Sequence, residues 1–205
     1  KIKRAGREDS ELTPTLPAWF GYVLIAASGA LSMSLEIVVL IYARMVIVSS
    51  TLIVCAVLFA FILNLGLASA LVAWLKRAGY ATERLLLFFL PASGVTAMAL
   101  IYAFTALIKL ETLGKLGGLD NFSARFVIAV VGLTLPAVLC VGAIFPLSWE
   151  LIERRAARQG GSLGLAFFVN KLCCALGSIM VPFLLLPWLG LRATCAVLAL
   201  GYGGL

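Results

Sequence analysis

The residues with chemistry to offer are the few polar side chains set inside long apolar runs. They are Glu36, Asn64, Glu150, and the adjacent pair Asn170-Lys171. A charged side chain at the centre of a membrane span costs about 2.5–3.5 kcal/mol on insertion scales. Each such group therefore needs a partner, a wet cavity or a route to the surface. Glu36 is the only carboxylate well inside a run. It could bind a proton or a cation, or it could be packed against the serines of its own helix. Asn64 and Asn170 could line a polar site. They could equally act as hydrogen-bonding glue between helices, worth about 0.6–2 kcal/mol each.

Other chemistries lack their residues. There is no histidine, which removes His-ligated haem, His-containing zinc sites and His-dependent triads. The five cysteines, Cys55, Cys140, Cys173, Cys174 and Cys195, all lie in apolar runs and form no Cys-x-x-Cys pair. They read as small buried residues. No nucleophile–base pair, phosphate loop or metal-ligand set is recognisable. The expected catalytic, metal and cofactor inventory is therefore none. The net charge of +7 does not point to nucleic acid. The basic residues sit at run ends and in connectors, as topology signals do.

Around these residues the chain is 63% hydrophobic and 12% charged, with a mean hydropathy of +1.12. A soluble domain carries roughly 25% charged residues. The apolar runs are long enough to cross a hydrocarbon core of about 30 Å. Their continuity argues against a β-barrel. The fold class is all-α, a polytopic transmembrane helical bundle of about six spans. The polar segment 1–17, with Pro14 and Pro17, reads as a cytoplasmic tail and not as a removable signal peptide. The transmembrane domain is 18–205, with spans near 18–46, 50–75, 85–109, 126–151, 162–187 and from 192 onward. The last run is short and reads as incomplete at its C-terminus.

Small residues at four-residue spacing in the first span, Ser28/Ser32 and Ala30/Ser34, invite a close helix neighbour. Asn64, Gly66, Ser69 and Ala70 read as a contact face of the second span. Pro91 with Ser93-Gly94, then Pro136 and Pro146, predict kinks. Trp149 and Trp188 read as interfacial anchors.

With the N-terminus inside, the inner segments carry ten basic residues: Lys1, Lys3, Arg4, Arg7, Lys76, Arg77, Arg84, Arg154, Arg155 and Arg158. The outer ones carry five: Arg44, Lys109, Lys115, Arg125 and Arg192. The bias predicts a multi-pass membrane protein with its N-terminus on the cytoplasmic side. Arg154, Arg155 and Arg158 are candidates for contact with anionic lipid or a partner. In this topology Glu36 lies about 27 Å from the inner end of its span and Lys171 about 13 Å from that of its own. A lysine reaches about 6 Å, so a Lys171–Glu36 pair falls short. Lys171 is expected to reach down toward Glu150 or water, leaving Glu36 to serine hydroxyls or backbone.

The order of several short motifs resembles the membrane domain of bacterial spermidine-synthase-like proteins, also described as fused major-facilitator/spermidine synthase proteins. Ser28-Gly29 followed by Glu36 matches the opening of that family. Asn64-Leu65-Gly66-Leu67-Ala68-Ser69 is a degraded form of its small-residue segment. Gly142-Ala143-Ile144-Phe145-Pro146-Leu147 matches its G-A-T-F-P-L. The stretch Val169–Ser178, with Leu186-Pro187-Trp188-Leu189-Gly190-Leu191-Arg192, matches its last motif pair. The likeness covers about 20–200. Two positions depart from the pattern: Lys171 replaces a usual threonine, and Leu35 replaces a frequent aromatic. The family carries a soluble, Rossmann-like aminopropyltransferase domain after its membrane part, and its motifs are not present in these 205 residues. The resemblance implies a membrane architecture without transferring an activity.

The expected function is an integral membrane subunit or anchor domain without catalytic activity of its own. Its partners would be membrane lipids and other protein subunits or a soluble domain. A small-solute or polyamine transporter is one alternative. The membrane half of a polyamine-related enzyme, its Rossmann-like domain absent here, is another.

Overall fold

The computed structural model describes residues 18–46, 51–109, 119–153 and 159–203. Arg154, Arg155 and Arg158 lie outside them. Among the described residues the chain is helical and contains no strand. The helices are α1 (Ala18–Val46), α2 (Thr51–Arg77), α3 (Thr82–Lys109), α4 (Leu119–Glu153), α5 (Gln159–Met180) and α6 (Leu186–Gly203). A π-helical turn, Val181–Leu185, joins the last two.

Five stretches are long and apolar enough to cross a membrane: Trp19–Met45, Ile53–Arg77, Thr82–Phe104, Phe126–Glu153 and Leu163–Gly201. The fifth has 39 residues. As one straight helix it would measure about 58 Å, nearly twice the hydrocarbon thickness. It is broken at Gly190, whose φ of 73° and ψ of 170° are non-helical. Glycine reaches that backbone region without a Cβ penalty. The expected fifth and sixth spans are thus one apolar stretch, folded at Gly190. Pro182 falls inside the π turn, where the wider coil accommodates a residue that cannot donate to the preceding turn.

The pairings alternate in direction. Gly29 meets Asn170, while Ala30 and Ser34 meet Gly177, so α1 and α5 run parallel. Asn64 meets Thr134, Leu65 and Ala68 meet Gly142, and Lys76 meets Glu150, so α2 and α4 run parallel. Gly21 touches Ile152, which sets α1 against the far end of α4. Beyond Gly190 the chain returns antiparallel to α1 and α3. Cys195 lies beside Tyr42, Gly201 beside Leu31, and Gly94 beside Ala199 and Gly203.

The core follows from these pairings. A large apolar cluster joins α1, α2, α3, α4 and α6 through Val38, Val57, Leu100, Val138 and Leu198. A second, built on Leu24, Val72, Phe89 and Ile144, fills the end where α1 begins. The contact face of α2 differs from expectation. Asn64, Ala68 and Val72 are buried, whereas Gly66, Ser69 and Ala70 are exposed. Residues four apart share a helix face, and residues two apart lie on nearly opposite ones. The cysteines differ too: Cys195 is buried, Cys55 is exposed, and the other three are half-buried.

The α1–α5 crossing is the tightest. A Cβ on Gly177 would collide with the carbonyl of Ala30, and one on Gly29 with Asn170. Backbone cannot swing aside as a side chain can, so the helices would have to part. Gly177→Ala should therefore cost about 1–3 kcal/mol, the usual range for overpacking. Gly164→Ala, on the same helix with open space around it, should be neutral or stabilising by up to about 1 kcal/mol. Unfolding of the detergent-solubilised chain measures both, and equal stabilities would contradict the crossing.

Candidate functional site

Three polar groups of residues sit within the apolar bundle, and two of them find partners on a neighbouring helix. The first is on the α2–α4 face. Asn64 is fully buried. Its Nδ2 donates to the Val131 carbonyl at 3.2 Å and to Thr134 Oγ1 at 3.0 Å. The Thr134 hydroxyl in turn donates to the Val130 carbonyl at 2.7 Å. Asn64 thus joins two helices. Its Oδ1 is buried without a hydrogen-bond partner in the structure.

The second lies where α2, α3 and α4 come together. The last turn of α2 closes on Gly79, whose φ is +90°. Tyr80 N–H donates to the Leu75 carbonyl at 3.3 Å, and Gly79 N–H donates to that of Lys76 at 3.0 Å. These two bonds form the Schellman arrangement that ends many helices. The tight turn starts α3 at Thr82, within reach of Lys76. Lys76 Nζ donates to Thr82 Oγ1 at 2.7 Å and pairs with Glu150 Oε1 at 2.8 Å. Both ionic side chains are about a quarter exposed, 25% and 26%. Thr82 itself is fully buried.

This pair corrects the expectation that Lys171 reaches Glu150. Glu150 is held by Lys76 on α2. The parallel packing of α2 on α4 brings those two residues to one level, whereas Lys171 belongs to α5. Lys76 was legible in the sequence as a topology signal. Its role as a partner depends on helix register.

The third group flanks the α1–α5 crossing. Cys174 lies near Ser32, Glu36 and Lys171. Gly29 seats Asn170, and the Ser34 hydroxyl donates to the carbonyls of Ala30 at 2.8 Å and Gly177 at 3.3 Å. Ser28 and Ser32 donate to the carbonyls of Ile25 and Gly29. Each serine has one proton, and it goes to backbone. The expectation that serine hydroxyls satisfy Glu36 is therefore corrected. Among the described residues no ion pair joins Lys171 to Glu36. From the Gly29–Asn170 level, Glu36 is seven residues further along and Lys171 one, an axial offset of about 9 Å.

Trp188 is 82% exposed, while Trp149 packs beside Ile25, Ile152 and Ala166. A cavity of about 460 Å³ opens beside α3 and α6. Tyr42, Ile101, Tyr102, Arg192 and Cys195 are among its walls.

The Lys76–Glu150 pair is partly exposed, so its worth lies between that of a surface pair and a buried one. A double-mutant cycle with Lys76→Met and Glu150→Gln should give a coupling energy of about 0.5–3 kcal/mol. Lys171→Met in place of Lys76→Met should show no coupling to Glu150→Gln. Coupling of Lys171 to Glu150 would contradict the observed pairing.

No protein-family model matches the chain, and no solved structure matches it. The chain is similar to polyamine aminopropyltransferase 2 of Streptomyces coelicolor, with 30% identity over 132 residues. The matched region is 63% of this chain and spans 22%, about a fifth, of the length of that protein.

Proposed function

We propose that this chain is a membrane-embedded helical module of an aminopropyltransferase-type system acting on polyamines. In this role it holds the catalytic part at the membrane and does not carry out the transfer. One observation carries the proposal. The likeness to a polyamine aminopropyltransferase falls on a chain whose helices are long and apolar enough to cross a membrane. Moving an aminopropyl group onto a polyamine nitrogen requires a neutral amine nucleophile. That in turn calls for a proton acceptor in a site that admits a hydrophilic polycation. The Lys76–Glu150 pair is already a structural contact, and Glu36 forms no ion pair with Lys171 among the described residues.

The proposed orientation places the start of α1 on the cytoplasmic side, following the ten-to-five bias of basic residues. A catalytic partner or domain would then meet the cytosolic polyamine pool. The Arg154-Arg155-Arg158 connector lies on that side and offers positive charge to anionic lipid or to the partner.

Two measurements test the proposal. Purified from its native membrane in mild detergent, the chain should carry a stoichiometric catalytic partner or domain. That complex should transfer aminopropyl groups, and residues 1–205 alone should not. A clean monomer with no partner, or transfer by the 205-residue chain itself, would contradict it. For orientation, Ala78→Cys and Ala157→Cys should both be labelled by an impermeant maleimide from the cytoplasmic side only. Labelling from opposite sides would overturn the topology.

A further inference from the structure

The end of the bundle where α1 and α3 finish and α6 begins holds a cavity of about 460 Å³. That volume falls within the range of small-ligand sites, roughly 300–1,000 Å³. Tyr42 of α1, Met98, Ile101 and Tyr102 of α3, and Arg192 and Ala196 of α6 wall it.

Helix register fixes where its polar and apolar parts lie. α6 runs antiparallel to α1 with Cys195 beside Tyr42. Arg192, three residues earlier, is therefore level with about residue 45 of α1. There the first membrane-crossing stretch ends, at Met45, and the last turn of α1 carries another cation, Arg44. Against α3, Gly94 lies beside Ala199 and Gly203. That antiparallel register sets Arg192 level with about residue 103, next to Tyr102, and Ala196 level with about residue 99, next to Met98. The cavity thus has a polar rim, Arg192 and Tyr102, at the end of the membrane-crossing stretch. Its floor, Met98, Ile101 and Ala196, is apolar and lies about one helical turn, roughly 5 Å, further in.

Arg192 and Tyr102 are both exposed, and among the described residues no carboxylate pairs with Arg192. A guanidinium offers a planar fork of donors that matches two phosphate oxygens at once. Basic pockets between membrane helices hold lipid headgroups in this way.

We propose that this cavity binds a phospholipid of net negative charge. Its phosphate rests on Arg192 and Tyr102, and the start of one acyl chain lies against Met98, Ile101 and Ala196. The guanidinium selects an anion, and a zwitterionic lipid would bring a cation of its own beside it. The apolar floor below the rim selects a lipid over free phosphate. The same charge repels a polycation, so this site is distinct from any polyamine site and does not rest on the polyamine proposal.

Native mass spectrometry of the full chain in detergent tests this, with phosphatidylglycerol and phosphatidylcholine of identical acyl chains as probes. Phosphatidylglycerol should bind about tenfold more tightly, the order expected for a charge-assisted contact. Arg192→Gln should abolish that preference. Arg44→Gln should leave it within about twofold, because Arg44 lies two residues from Tyr42 and so on a nearly opposite face of α1. Ala196→Phe, which fills the floor without touching the charge, should weaken phosphatidylglycerol binding about tenfold by steric exclusion. Glycerophosphoglycerol, the headgroup without chains, should not compete at equal concentration. Equal binding of the two lipids would overturn the proposal, as would equal losses from Arg44→Gln and Arg192→Gln. So would unchanged binding in Ala196→Phe, or competition by the chainless headgroup, which would make this a site for free phosphate esters.

Discussion

Backbone-to-backbone approach between α1 and α5 is the constraint on which the other features depend. Inside a bilayer, lipid is as apolar as leucine, so close packing and hydrogen bonding must hold helices together. Gly29 and Gly177 remove side chains where the two helices meet, and Asn170 and Ala30 fill the space. The Ser34 hydroxyl then spans the gap to the Gly177 carbonyl. Once this register is set, the depth of every polar residue on α1 and α5 is set with it. Glu36 and Lys171 are kept apart, with Cys174 between them.

The bundle treats its polar groups in two ways. At Asn64 and at Lys76–Glu150, parallel packing of α2 on α4 supplies partners from a neighbouring helix. Thr82 adds a second acceptor for Lys76, delivered by the Gly79 turn. These contacts tie the helices together. At Glu36 and Lys171 the neighbouring hydroxyls are spent on their own backbone.

Much of the architecture was legible because it depends on local properties. Run length and apolar content marked the membrane-crossing stretches, and isolated charges such as Glu36 and Lys171 stood out against them. What was not legible depends on rotation and register between distant segments. The face that Asn64 shares with Ala68 and not with Gly66 follows from helix periodicity, but nothing in the residue types says that this face meets α4 at Thr134, or that Lys76 and not Lys171 faces Glu150. The serines were visible, but their choice of backbone carbonyls over Glu36 is a matter of geometry. The fold-back at Gly190 was legible as well, since the runs were expected to end near 187 and resume at 192 with Gly190-Leu191-Arg192 between them. The structure absorbs Pro182 in a π turn and reverses the chain at the glycine.

The most direct test of this account is the parallel register of α1 on α5 itself. Ser32→Cys places a thiol on α1 near the native Cys174 of α5. Mild oxidation of the variant in membranes, followed by peptide mapping, reads the bond formed. The account predicts a 32–174 disulfide and none from residue 32 to Cys55, Cys140 or Cys195. Failure to form the 32–174 bond, or pairing of residue 32 with one of those three, would contradict the register.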